Sequence, residues 1–257
     1  MTHDEKRRYL LETLLQECGE PLRIPVDAES QQKLLRALLN VRRPAPVSDA
    51  FLQVQDEYLA ERLAQRGVTD SADLVSTAEG LCLWRGDITT LKADGIVNAA
   101  NSSMLGCFIP CHGCIDNAIH TYAGVQLRLV LAQLMKKQGE EEPVGRAQIT
   151  PAFNLPSRYV LHTVGPMVPG RLTPHHEYQL ASCYRACLAL ADKNHLKSLA
   201  FCCISTGEFL FPRFRAAEIA LDTVRDYRAQ TQSKMKVIFN VFQKSDEQIY
   251  RRLLQRH

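Results

Sequence analysis

Strand-length apolar runs alternating with amphipathic stretches, from about residue 80 onward, predict a three-layer α/β/α fold with a mixed, centrally parallel sheet. The first seventy residues instead carry helical periodicity alone, which predicts an N-terminal helical extension. A third observation orients the fold. A Cys- and His-rich stretch, residues 107–120, lies between a strand-like and a helix-like run, where α/β sheets place ligand-binding loops.

In the extension, Tyr9, Leu10, Leu14, Leu15 and Cys18 form one apolar stripe, closed by Gly19. Leu34, Leu35, Leu38 and Leu39 form another. Ser48 is placed to cap a third helix carrying Phe51, Leu52, Tyr58, Leu59 and Leu63, with Gly67 as its stop. Pro21-Leu22-Arg23-Ile24-Pro25 and Arg43-Pro44-Ala45-Pro46 separate the three. The segment carries no evident chemistry and reads as a helical cap packed on the α/β core, with domains at 1–72 and 73–257. Strands are expected at 81–85, 95–98, 147–150, 159–164, 199–203 and 237–241, and helices at 115–135, 175–193, 214–229 and 246–254. The polar run 136–143 reads as an exposed loop.

Composition excludes several function classes. The chain has 257 residues, 46% of them hydrophobic, and a net charge of only +3 with acids and bases interleaved, so neither a polyanion track nor a membrane surface is expected as partner. No apolar run reaches the roughly 20 residues of a membrane span, and Met1-Thr2-His3-Asp4-Glu5-Lys6 lacks a signal-peptide pattern. A single Trp84 and mixed surface charge offer no nucleic-acid platform. Nine cysteines, an odd number in a chain of this size, suit a reducing cytoplasmic setting. Cys183 and Cys187 read as core residues, and Cys202 and Cys203 as parts of a buried strand.

Three loops converge if the strands are parallel. In Arg85-Gly86-Asp87-Ile88-Thr89, Asp87 offers a carboxylate or caps a helical turn. Ser205-Thr206-Gly207-Glu208-Phe209, between a strand and a helix, presents backbone N–H groups suited to phosphate. Between them, Cys107, Cys111, His112 and Cys114 supply thiolates and an imidazole of the kind tetrahedral Zn²⁺ takes. All four would saturate the ion, whereas three leave a position open. Cys111 and His112, as neighbours, are hindered from facing one ion together. Asp116, in the first turn of the helix, either orients a ligand, acts as a base or favours the helix dipole. His162 reads as a satisfied strand histidine, and His175 and His176 as residues of a polar loop.

The ordered motifs Arg-Gly-Asp-Ile-Thr (85–89), Asn-Ala-Ala-Asn (98–101), Asp-Asn-Ala-Ile-His-Thr-Tyr-Ala-Gly (116–124) and Ile-Ser-Thr-Gly (204–207) resemble the macrodomain family of ADP-ribose-binding proteins over residues 80–257. The pattern Cys-Phe-x-Pro-x-His-x-Cys at 107–114 replaces the glycines usual there, and resembles the zinc-dependent branch, enzymes that remove ADP-ribose from proteins. The extension, with Leu38-Leu39-Asn40-Val41-Arg42, is similar to that branch as well. The resemblance implies a Zn²⁺ cofactor held by Cys107, His112 and Cys114, with Cys111 at a variable position. It implies adenine contacts from Asp87, Ile88, Asn240 and Phe242, the last as a stacking platform unless it is core. It places Ser205, Thr206, Gly207, Glu208 and Phe209 around the diphosphate and distal ribose, and Asn101 on that ribose. Asn101 and Asp116 are then the candidate catalytic residues, and His120, in a segment shared with zinc-free members, is structural. The activity implied is hydrolysis at C1″ of the distal ribose of a mono-ADP-ribosylated protein, in this branch often a lipoyl-carrier protein. A non-catalytic ADP-ribose reader and an O-acetyl-ADP-ribose deacetylase are the rival readings.

Overall fold

The structure, a computed structural model, describes residues 1–19, 23–77 and 80–255; Pro21 and Leu22 of the first connector lie outside them. In chain order the elements are α1 (His3–Cys18), α2 (Ala28–Val41), α3 (Asp49–Arg66), β1 (Thr69–Asp70), β2 (Leu81–Arg85), β3 (Leu91–Lys92), β4 (Gly95–Ala100), α4 (Ile115–Ala123), α5 (Val125–Gln138), β5 (Ala147–Pro151), β6 (Tyr159–Val164), α6 (Pro174–Lys193), β7 (Ser198–Phe201), α7 (Arg213–Thr231), β8 (Lys236–Val241) and α8 (Lys244–Leu254). Among the described residues a six-stranded sheet runs β2-β8-β7-β4-β6-β5. Every neighbour pair is parallel except β5 on β6. This is the mixed, centrally parallel sheet expected. Helices α6, α7 and α8 pack on one another and reach β5, β6, β2 and β8, while α4 and α5 pack together against β4 and β5. Five of the six residues of β4 are buried, as a strand covered by helices on both faces requires.

The extension folds as its stripes predict, except that Cys18, expected in the first stripe, is exposed at the end of α1. Thr2, Asp27 and Ser48 cap α1, α2 and α3 through their side-chain oxygens, each relieving a free N–H of the first turn. Gly19 closes α1 in the left-handed region. Leu10, Leu11, Leu14, Leu35, Leu38, Phe51, Tyr58 and Leu59 make a core of their own, joined by Val125 of α5. β1, on the extension side of a 72/73 boundary, pairs in parallel with β3 beyond it.

Some expectations need correction. The helix expected over 115–135 is two, because Gly124 has φ 92° and ψ 175°, a conformation only glycine adopts readily. A Cβ there would meet Gln55 and Gln126 side-chain atoms at 2.6 Å. The run 136–143 is not a plain exposed loop: its start completes α5, and Glu142 is buried and accepts from Gln148 at 3.1 Å. β7 ends at Phe201, so Cys202 and Cys203 begin the following turn instead of completing the strand. His175 and His176 belong to the first turn of α6, where His176 closes a capping box with Thr173. Cys183 and Cys187 are fully buried, as expected. Among the described residues no helix is long and apolar enough to cross a membrane.

Gly124→Ala is expected to lower stability by about 1–3 kcal/mol, the cost of a side chain in that backbone region, read as a reduced urea midpoint. An unchanged midpoint would show that the α4–α5 break is not conformationally demanding.

Candidate active site and metal centre

β2, β8, β7 and β4 run in one direction, so Arg85, Val241, Phe201 and Ala100 end on the same edge of the sheet. The loops that continue from them carry Asp87, Ile88, Asn101, Cys107, His112, Cys114, residues 205–209 and Phe242, with Asn240 at the end of β8 and Asp116 at the start of α4.

The loop after β4 begins at Asn101, whose Nδ2 donates to the Gly106 carbonyl at 3.1 Å and whose Oδ1 accepts from the Ser103 N–H at 3.1 Å. Gly106 has φ 84°, and a Cβ on it would lie 2.8 Å from the His120 ring. Glycine therefore lets the loop lie flat on α4. Beyond it the Cys107, His112 and Cys114 donor atoms all fall within 4.8 Å of one another, with Cys107 Sγ 3.5 Å from His112 Nδ1. Donors bound about 2.0–2.3 Å from one tetrahedral ion sit roughly 3.5–3.8 Å apart; the Cys107–His112 pair already has that spacing, and two thiols with an imidazole are a donor set suited to a cation such as Zn²⁺ with one position open. Cys114 also caps α4, its Sγ accepting from the Asn117 N–H at 3.4 Å. Burial, with Cys107 beside it, pushes the Cys114 thiol up to about 12. Holding thiolates there calls for a neighbouring positive charge. Cys111 is apart from the trio: exposed, in the left-handed region at φ 54°, with its Sγ directed at the Lys33 carbonyl at 3.4 Å.

Beneath the loop lies a buried polar cluster. Asn98 Nδ2 donates to Asp116 Oδ1 at 2.8 Å and to His162 Nδ1 at 3.2 Å, so His162 donates through Nε2 to Thr150 Oγ1 at 2.9 Å. Asp116 faces inward, and its Oδ2 is 3.5 Å from Asn101 Nδ2. Burial pushes its carboxyl up to about 6, against the lowering effect of the Asn98 bond. His120 is buried one turn on, its Nε2 3.5 Å from Asp116 Oδ1, and burial holds its pKa well below 6.5. Burial alone lowers His162 to about 3. Arg128, buried on α5, donates from Nε to the Leu105 carbonyl at 2.7 Å and stacks its guanidinium 4.5 Å from the Phe108 ring centre.

On the other flank, Asp87 does cap a helical turn, accepting from the Thr89 N–H at 3.0 Å, and also receives Arg66 Nη2 at 2.6 Å. Ile88 behind it is buried. Asn240 is buried too, donating from Nδ2 to the Gly86 carbonyl at 2.9 Å, so it shapes the Asp87 turn. Phe242 is 74% exposed and therefore not core. In the third loop Ser205 is buried at φ 64°, its carbonyl accepting from the Phe211 N–H at 3.0 Å, and Thr206 Oγ1 donates to the Cys203 carbonyl at 3.0 Å. Among the described residues the N–H groups of Gly207, Glu208 and Phe209 meet no protein acceptor. Successive free N–H groups of this kind form an anion-binding concavity. Glu208 Oε1 comes to 3.5 Å from His112 Nε2, bringing this loop against the Cys/His loop.

Sequence reasoning assigned no role to Arg36 or Asn40 of α2, although Asn40 lies in the run Leu38–Arg42 that carries part of the resemblance. Arg36 donates to the His112 carbonyl at 2.9 Å and to Asn117 Oδ1 at 2.8 Å, and Asn40 Oδ1 accepts from the Cys111 N–H at 2.9 Å. The one available signal was their spacing with Lys33, a polar stripe on the helix face away from Leu35 and Leu38.

A family profile described as Macro domain matches residues 97–220. The chain is 55% identical to a protein-ADP-ribose hydrolase of Treponema medium, over 99% of this chain and 100% of that one. It is 48% identical to a protein-ADP-ribose hydrolase of Staphylococcus aureus strain MSSA476, over 93% and 90%. Among solved structures, the Trypanosoma brucei macrodomain in complex with ADP-ribose matches at TM-score 0.66 and 31% identity, over 85% of this chain and 94% of that one.

The buried His162 makes a pH prediction. Above pH 6.5 it is neutral folded or unfolded; between 6.5 and about 3 only the unfolded chain takes its proton. Stability therefore falls with pH across that window by about 1.4 kcal/mol per unit from this residue. Urea unfolding of the protein and of His162→Gln from pH 7 to 4.5 should show the variant's acid slope shallower by that amount. Equal slopes would refute it.

Proposed function

The chain belongs to the macrodomain family, and from that premise we propose that it is a protein-ADP-ribose hydrolase, freeing ADP-ribose from modified protein side chains. The observation that carries the reading is the Cys107, His112 and Cys114 trio beside Asn101, across from the free N–H groups of residues 207–209. The ligand runs across this edge. Exposed Phe242 takes the adenine ring, with Asp87 and Ile88 beside it. The N–H groups of Gly207, Glu208 and Phe209 take the diphosphate. Asn101 holds the distal ribose, and Asp116, too buried to meet substrate, acts by orienting Asn101.

Cys107, His112 and Cys114 would hold Zn²⁺, which when bound supplies a Lewis acid next to C1″ of that ribose. Glu208, facing His112 Nε2, favours the tautomer that leaves Nδ1 toward Cys107. Hydrolysis breaks the bond at C1″, consumes one water and returns the unmodified side chain with free ADP-ribose. The modified partner is a mono-ADP-ribosylated protein, for which a lipoyl-carrier protein is the first to try. We place the enzyme in the cytoplasm, a reading supported by cysteines that are free throughout the structure.

Chelation should abolish release of ADP-ribose from a mono-ADP-ribosylated protein, and added Zn²⁺ should restore it. Cys107→Ala and His112→Ala should lose bound metal and turnover together; a metal-free variant with full activity would refute the role of zinc. Asn101→Ala should reduce kcat about 100-fold, the scale of a misplaced reacting group, with ADP-ribose affinity changed far less. Faster turnover of O-acetyl-ADP-ribose than of modified protein would favour the deacetylase instead.

A further inference from the structure

Helix α2 lies in the extension, yet one of its faces is turned to the Cys/His loop. Lys33, Arg36 and Asn40 are spaced i, i+3, i+7, so they form one stripe, while Leu35 and Leu38 of the same helix enter the extension's own core. From that stripe Asn40 Oδ1 takes the Cys111 N–H at 2.9 Å, and Arg36 Nη2 donates to the carbonyl of the next residue, His112, at 2.9 Å. The Lys33 carbonyl lies 3.4 Å from Cys111 Sγ. The two peptide groups that flank the Cys111–His112 peptide are thus both tied to one rigid helix.

The tie has a conformational task. Cys111 sits at φ 54°, a left-handed conformation that costs a residue with a Cβ about 1–2 kcal/mol. Such a turn persists only where its surroundings hold it. Arg36 adds a second hold through its fork: Nε and Nη2 both reach Asn117 Oδ1, at 3.2 and 2.8 Å, while Asn117 Nδ2 donates to the Ile109 carbonyl at 3.0 Å and its N–H to Cys114 Sγ. Asn40 is fully buried, and its Nδ2 donates to Thr121 Oγ1 at 2.9 Å, anchoring the same point to α4.

We propose that Arg36 and Asn40 are positioning residues of the metal centre: by gripping the peptides of Cys111 and His112 they hold the His112 imidazole against Cys107 and Cys114 and exclude Cys111 from the set. The N-terminal extension is then part of the metal-binding apparatus. This rests on the zinc reading above, and the test separates the two.

Zinc content, the rate of zinc transfer to a chromogenic chelator, and the rise in melting temperature produced by Zn²⁺ over the chelated protein are measured for the unaltered protein, Arg36→Ala, Arg36→Lys, Asn40→Ala and, as a control in the exposed first turn of α2 that touches the stripe only through the Lys33 ammonium, Glu29→Ala. Arg36→Ala and Asn40→Ala should bind zinc about 10- to 100-fold more weakly, as loss of a partner behind a metal ligand does. Transfer should be faster, and the zinc-dependent rise smaller. Arg36→Lys, which keeps the charge without the fork, should fall between, and Glu29→Ala should match the unaltered protein. A purely structural role would lower the melting temperature with and without zinc alike, leaving the rise and the transfer rate unchanged, and that result overturns the proposal. Should Arg36→Ala fail to fold, the same reading is taken from Arg36→Lys and Asn40→Ala. An unaltered protein that takes up no zinc would overturn the zinc reading itself, and this inference with it.

Discussion

Parallel pairing of β2, β8, β7 and β4 is the constraint on which the remainder of the structure depends. Parallel strands end together, so the loops at 86–90, 101–114, 202–212 and residue 242 emerge on one edge although they are spread from position 86 to position 242 of the sequence. The β4–β7 ladder covers only Gly95 and Ile96, whereas β4 stays paired to β6 from Gly95 through Ala100. The end of β4 is therefore free on its β7 side.

Such an edge would be soft without an anchor beneath it. The anchor is polar: Asn98 on β4 joins Asp116 at the start of α4 to His162 on β6, and His162 continues to Thr150 on β5. In a low-dielectric interior these bonds are strong, and a group left out of them is costly. Asn98 Oδ1 and both ring nitrogens of His120 lack a hydrogen-bond partner in the described protein, so the cluster carries some of that cost. Its lowered histidines and raised aspartate are the same fact expressed as proton affinity. Above it, Asn101 and the Cys/His loop are held in one arrangement.

Strands such as 81–85 and 159–164 were legible almost to the residue, because runs rich in aliphatic, aromatic and β-branched residues fit a pleated, largely covered surface. The break at Gly124 was not legible. An isolated glycine within helical periodicity is commonly tolerated, and only the neighbouring Gln55 and Gln126 side chains make a Cβ impossible there. Glu142 was misread because its burial comes from Gln148 and from packing that a polar tetrad does not announce. Short spacing made a cluster of Cys and His donors readable but left Cys111 among them; the resemblance singled out Cys107, His112 and Cys114, whose donor atoms do lie together while Cys111 points away.

By itself, then, the amino-acid order determined what is local: element type from periodicity, and a cluster of candidate metal donors from close spacing. Tertiary structure alone decided which distant groups stand behind that cluster. Arg36 meets the His112 carbonyl across 76 positions, and Glu208 reaches the His112 ring from a different loop. The polar stripe on α2 shows that Arg36 faces away from the leucines, but neither partner can be read from spacing or hydropathy, because a hydrogen bond depends on where two chain segments are placed in space, and that placement is set by packing the whole core.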